Sequence, residues 1–143
     1  MIPINKHPSD KNLLICILRF LSASGDEQLR ELRDYQDFCQ SNGHPVAHLW
    51  NPFVEIAEGL LKLPSTTKNE TLSVEAALVV EEVECLLNLI FNRPDGCMVA
   101  EKNILTGVEW RLVRRAAKSA LEVIRPDKIG NLSLYEILCH VAD

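Results

Sequence analysis

The stretch FVEIAEGLL, residues 53–61, shows most clearly the pattern that recurs through this chain. Its apolar residues stand at positions i, i+3, i+4, i+7 and i+8, and they are Phe53, Ile56, Ala57, Leu60 and Leu61. This spacing places them on one side of an α-helix, where they can be buried together. The pattern ends at Leu63-Pro64, because proline lacks the backbone N–H that a continuing helix needs. The stretch therefore predicts an amphipathic helix.

Residues that cap the first turn of a helix occur on both sides of this stretch. Several hydroxyl residues are followed by a glutamate at i+3, a spacing that lets both side chains accept hydrogen bonds from free backbone N–H groups. Other residues of the capping type precede further apolar segments. The candidates are Ser9, Ser24, Asn51, Ser73, Thr106 and Ser133. Each of them predicts the start of a helix.

No segment of convincing length alternates apolar and polar residues as a half-buried strand does. We therefore expect an all-α protein, a compact bundle of about six or seven helices in a single domain over residues 1–143. Apolar side chains occupy most of the circumference from Ser73 to Phe91, which predicts that this helix lies at the centre of the bundle. A long helix should run from Gly107 to Arg125, because Pro126 stops it.

Cysteine usage and the amino terminus both favour a cytoplasmic protein. The five cysteines form no Cys-x-x-Cys pair, and three of them lie in apolar helical patterns, so we expect buried thiols rather than disulfides. Residues 1–8 lack the pattern of a signal peptide, and the longest apolar runs are shorter than the ~20 residues that span a bilayer. We expect neither secretion nor membrane insertion.

Charge is segregated along a chain whose formal net charge is -5. Residues 69–92 hold five glutamates and no lysine or arginine. The helix predicted over 107–125 carries cations on one side, among them Arg111, Arg114, Arg115 and Lys118. Its opposite, apolar side is predicted to consist of Val108, Leu112, Ala116, Ala120 and Val123. An acidic helix therefore precedes a basic one.

Complementary charge of this kind is typical of surfaces that dock other proteins. We predict a non-enzymatic protein–protein interaction domain, an adaptor or regulator, in which Arg111, Arg114, Arg115 and Lys118 bind an acidic partner protein. Two other arrangements stay open. The basic side can pair with glutamates of the same molecule, or the two helices can pair between the subunits of a homo-oligomer.

A nucleic-acid-associated regulator is the first alternative function, and it would use the basic side of the helix over 107–125. Against it, the chain as a whole is acidic and offers no row of aromatic platforms beside the cations. Trp110 alone borders them, and a single tryptophan is more often part of a core.

A small helical enzyme is the second alternative, with a site centred on Glu82 or Cys97. Glu82 falls among Leu78, Val79, Leu86 and Leu89, surroundings that raise the pKa of a carboxyl unless a cation pairs with it. Cys97 follows Asp95-Gly96 at a possible helix start, where the helix dipole lowers the pKa of a thiol. Cys97 is the candidate reactive thiol.

Known cofactor and metal signatures are missing from the sequence. His44 and His48 stand four residues apart, but the glutamate of the zinc-binding helix motif is absent. Glycine-rich phosphate loops and the nucleophile elbow of hydrolases are absent too. We predict no catalytic residues, no cofactor and no metal.

Overall fold

A computed structural model describes residues 10–44, 50–63, 72–92, 107–125 and 132–141. Within these ranges the chain forms helices and no strand, which confirms the predicted all-α bundle. The helices are α1 (Asp10–Ser22), α2 (Gly25–Ser41), α3 (Trp50–Lys62), α4 (Val74–Phe91), α5 (Val108–Ile124) and α6 (Leu134–Val141).

Three of the predicted capping residues begin helices as expected. The hydroxyl of Ser24 accepts a hydrogen bond from the backbone N–H of Glu27 at 3.2 Å, and that of Ser73 accepts one from Ala76 at 3.1 Å. Ser133 and Glu136 form a reciprocal pair, in which each side chain accepts a hydrogen bond from the other's backbone N–H at 3.2 Å. These bonds satisfy donors that the first helical turn leaves free.

Two other starts differ from the prediction. Helix α5 is capped at Gly107, which has no side chain to accept a hydrogen bond, rather than at Thr106. Helix α3 begins at Trp50, so that Asn51 lies inside it; Pro52 is still in the first turn, where a missing N–H breaks no helical bond. Ser9 and Thr106 lie outside the described residues.

Helix α1 is the most deeply buried of the described helices. Every residue from Leu13 to Leu21 except Arg19 is buried, because α1 packs against α3, α5 and α6. The expectation that residues 73–91 form the central helix is therefore wrong. Helix α4 packs mainly against α5 and more lightly against α3, and it buries one stripe of its surface, Ala76, Val80, Val83, Leu87 and Ile90.

Aromatic rings join the helices at the core. The ring centroids of Phe20 and Phe53 lie 5.5 Å apart, and those of Phe53 and Trp110 lie 4.6 Å apart in an edge-to-face arrangement. Trp110 also contacts Phe91 at 6.4 Å, which brings the end of α4 beside the start of α5. These two helices are therefore antiparallel neighbours. The predicted stripe of α3 is confirmed, since Phe53, Ile56, Ala57 and Leu60 are fully buried and Leu61 packs against the core partly buried.

No helix in the described part of the chain is both long enough and apolar enough to cross a membrane.

Candidate functional site

Three of the four predicted partner-binding cations lie on the open side of α5. Arg111, Arg115 and Lys118 are exposed, because Trp110, Val113, Ala117 and Ala120 turn the opposite side of the helix into the core. Among the described residues, no carboxylate lies within 4.0 Å of any of these three cations. Pairing of these cations with glutamates of α4 inside one molecule is therefore not seen.

Arg114 has a different environment from its neighbours. Its guanidinium is partly buried and donates a hydrogen bond from Nη1 to Oε1 of Gln28 at 3.1 Å. Burial lowers the pKa of Arg114, and the nearby charge of Arg111 lowers it further. Because this side chain helps to hold α5 against α2, we leave it out of the candidate docking surface.

Gln28 is the buried partner that the sequence analysis did not identify. Its side chain is 1% exposed, and Nε2 donates hydrogen bonds to the carbonyl oxygens of Phe20 at 3.0 Å and Leu21 at 3.1 Å. These carbonyls belong to the last turn of α1, where no backbone N–H four residues on completes the helical pattern. The Phe20 carbonyl also accepts a hydrogen bond from the backbone N–H of Ala23 at 3.2 Å. The sequence held one signal for the burial of Gln28. Gln28 stands four residues before Leu32, and this spacing places both on the buried side of α2.

Large apolar side chains accompany the exposed cations. Leu89 is 68% exposed, Val108 60% and Leu112 42%. A groove of about 310 Å³ runs between the end of α4 and the start of α5. Its lining is Leu86, Leu89, Ile90, Glu109 and Leu112. The prediction that Val108 and Leu112 belong to the buried stripe of this helix is wrong, because the bulky Trp110 sets which side of α5 faces the core.

Acidic side chains lie along the solvent side of α4. Glu75, Glu81 and Glu82 are all exposed. Glu82 was expected to lie among buried apolar side chains. Instead, Leu78 and Leu89 on the same side of α4 are exposed to solvent. The enclosed carboxyl that an acid–base site at Glu82 would require is therefore not formed.

The exposed sides of these two antiparallel helices meet at the groove between Leu89 and Leu112, and we call them together the α4–α5 face. It consists of Leu78, Glu81, Glu82 and Leu89 on α4, and Val108, Arg111, Leu112, Arg115, Lys118 and Glu122 on α5.

A second groove, of about 470 Å³, lies between α2 and α6. The rings of Phe38 and Tyr135 stack across it at 5.0 Å in a tilted arrangement. Its carboxyl Glu31 lies 3.7 Å from Arg19, and burial raises the pKa of Glu31. Glu136, also in the lining, caps α6. Glu82 is not among the described residues that line this groove, so the groove does not assemble the predicted Glu82 site.

The remaining candidates are thiols and histidines. Cys97 and His48 lie outside the described residues, while His44 is exposed just beyond α2. All four described cysteines are free thiols, of which Cys16 and Cys39 are buried and Cys85 and Cys139 are exposed. In the described ranges, no three metal-binding side chains come together.

Comparisons of this chain with protein-family models, with curated proteins and with solved structures find no match.

Proposed function

We propose that this protein is a protein–protein interaction domain whose docking surface is the α4–α5 face. The observation that carries the proposal is the exposure of Leu78, Leu89, Val108 and Leu112 on two adjacent helices. Contiguous apolar surface is costly in water, and on soluble proteins it marks sites where another molecule binds. Burying these side chains against a partner supplies the free energy of association.

The cations of the face define the chemistry of the partner. Arg111, Arg115 and Lys118 have no carboxylate partner among the described residues, so they are available to carboxylates of another protein. Opposite charge around an apolar contact orients the two molecules and speeds their encounter. The partner therefore presents apolar side chains to the groove and acidic ones to α5.

Nucleic acid fits this face less well. Trp110, the one aromatic residue beside the cations, is 2% exposed, so its ring is not accessible to a base. Glu81 and Glu82 lie exposed on the neighbouring helix, where their carboxylates repel phosphate.

A capture experiment with charge-matched variants tests the proposal. The immobilised chain is incubated with nuclease-treated lysate of its native source, as wild type, as Arg115→Glu with Lys118→Glu, and as Lys11→Glu with Arg30→Glu. Both variants replace two exposed cations, so they change the net charge equally. Far-ultraviolet circular dichroism checks that each keeps its helices.

We expect the Arg115/Lys118 variant to lose the captured protein and the Lys11/Arg30 variant to retain it. Equal capture by all three proteins would contradict the proposal, as would a protein that the wild type captures from untreated lysate but not from nuclease-treated lysate.

A further inference from the structure

We propose that the partner on the α4–α5 face is a second copy of this chain. The two copies associate about a two-fold axis parallel to the helices, so that α4 of each copy faces α5 of the other. This inference rests on the proposed docking function and names its occupant.

The distribution of charge across the face points to a copy rather than to an unrelated acidic protein. The α5 half is mainly basic, because the exposed cations Arg111, Arg115 and Lys118 outnumber its one exposed acid, Glu122, whereas the α4 half carries the exposed acids Glu81 and Glu82. A uniformly acidic partner that covers both helices would place its carboxylates against those of α4. A partner that satisfies the whole face must be basic on one half and acidic on the other, and the face itself has that character.

A two-fold axis along the helices exchanges the two halves. In an isologous interface the same patch contacts itself after a half-turn rotation. When the axis runs parallel to α4 and α5, the rotation moves α4 to the side that α5 occupied and leaves its height along the axis unchanged. The acidic helix of one copy then lies over the basic helix of the other, on both sides of the axis.

The positions of the charged residues along the helix axes are compatible with this rotation. The groove that joins Leu89 to Leu112 and the ring contact of Phe91 with Trp110 show that the end of α4 lies level with the start of α5. From that level, Glu82 stands seven residues back along α4 from Leu89, and Lys118 stands six residues on along α5 from Leu112. At a rise of about 1.5 Å per residue, both lie about 10 Å along the helices from the apolar end.

Because these heights are equal, oppositely charged side chains meet each other in the dimer, and apolar side chains meet apolar ones. Glu82 of one copy faces Lys118 of the other, while Leu89 of one copy faces Val108 and Leu112 of the other. The four helices form an antiparallel bundle in which each α4 faces an α5, and the apolar side chains at one end are enclosed by both copies.

Charge exchange between two variants tests the pairing directly. One variant carries Arg115→Glu and Lys118→Glu, so that α4 and α5 are both acidic on this face. The other carries Glu81→Lys and Glu82→Lys, so that both are basic. Sedimentation equilibrium measures the dissociation constant of each protein alone and of their equimolar mixture. A reducing agent is present throughout, because Cys85 is an exposed thiol on α4.

We expect the wild type to dimerise and each variant alone to dimerise at least about tenfold more weakly, because like charges then face each other. In the mixture, each acidic helix again faces a basic one at both contacts of a heterodimer, so association should recover. The variant with Lys11→Glu and Arg30→Glu serves as the control and should dimerise like the wild type.

Three results would overturn the second copy as partner. They are a wild-type chain that stays monomeric up to about 100 µM, a dimer that neither charge reversal weakens, and a mixture that does not recover. The capture experiment separates these failures from failure of the docking surface. A monomer that loses its captured protein on reversal of Arg115 and Lys118 retains the docking function, and a monomer whose capture is unaffected loses both.

Discussion

At the scale of single residues, Gln28 illustrates how one buried polar side chain connects three helices. A carboxamide has two N–H donors and one carbonyl acceptor. In Gln28 the donors bind the last turn of α1 and the acceptor binds Arg114 of α5, while its own backbone belongs to α2. A buried polar group with satisfied hydrogen bonds fixes the position of its neighbours, because any displacement leaves those groups unpaired.

Replacing Gln28 with leucine should lower the free energy of unfolding by about 2 kcal/mol, because the Leu21 carbonyl loses its side-chain donor inside the core. Arg114 loses its bond to Gln28 at the same time. Urea denaturation measures the change.

Gln40→Leu is the matched control, since Gln40 is an exposed glutamine on the same helix. It should shift the free energy of unfolding by less than about 0.5 kcal/mol. Equal effects of the two substitutions would show that the hydrogen bonds of Gln28 contribute nothing to stability.

At the scale of the helix, α4 shows why apolar composition alone does not locate an element in a fold. Leucines and valines lie nearly all around it, and this pattern is expected both for a helix at the centre of a bundle and for one that offers an apolar surface to a partner. In this fold α1 takes the central position, and Leu78 and Leu89 of α4 remain exposed.

Two leucines of α4, two residues apart, should respond differently to truncation. Leu87→Ala removes a side chain that is fully buried and should cost about 2–5 kcal/mol of stability, because it leaves a cavity. Leu89→Ala removes a solvent-exposed side chain and should change monomer stability by less than about 0.5 kcal/mol.

Urea denaturation should measure the free energy of unfolding of both leucine variants in a chain that also carries Arg115→Glu and Lys118→Glu. These two changes weaken association, so that it does not contribute to the measured stability. Without that background, Leu89→Ala should weaken the dimer. A large loss of monomer stability for Leu89→Ala would mean that this side chain is packed within its own chain.

At the scale of the whole molecule, the bundle is organised around α1 and not around its longest helices. Helix α2 is longer than α1, yet its buried residues are four, Gln28, Leu29, Leu32 and Cys39. Helices with few buried contacts open at a lower cost in free energy than those that the rest of the protein surrounds. The order of local stability should therefore follow burial and not helix length.

Native-state hydrogen exchange checks this order. The backbone amides of residues 14–18 in α1 should exchange only through global unfolding, at least about tenfold more slowly than those of residues 33–38 in α2. The free energy obtained for α1 should equal the value from urea denaturation. Equal rates in the two helices would show that the bundle opens as one unit and that burial of α1 confers no additional local stability.

Sequence periodicity by itself determined the helical class, the bounds of α4 and α5 to within a residue or two, and the caps at Ser24, Ser73 and Ser133. Each of these depends on interactions within a few residues of the chain: backbone hydrogen bonds, first-turn donors and the spacing of apolar side chains. The position of Arg111, Arg115 and Lys118 on one side of a helix follows from the same periodicity.

Tertiary structure decided which helix lies inside, which side of α5 faces the core, and which polar side chains form hydrogen bonds within the molecule. Arg114 and Arg115 are adjacent in sequence, but Arg114 meets Gln28 across the bundle while Arg115 faces solvent. Trp110 packs against Phe53 and Phe91 and so turns Val108 and Leu112 outward. These outcomes depend on partners far apart along the chain, and local spacing carries no information about which of them will meet.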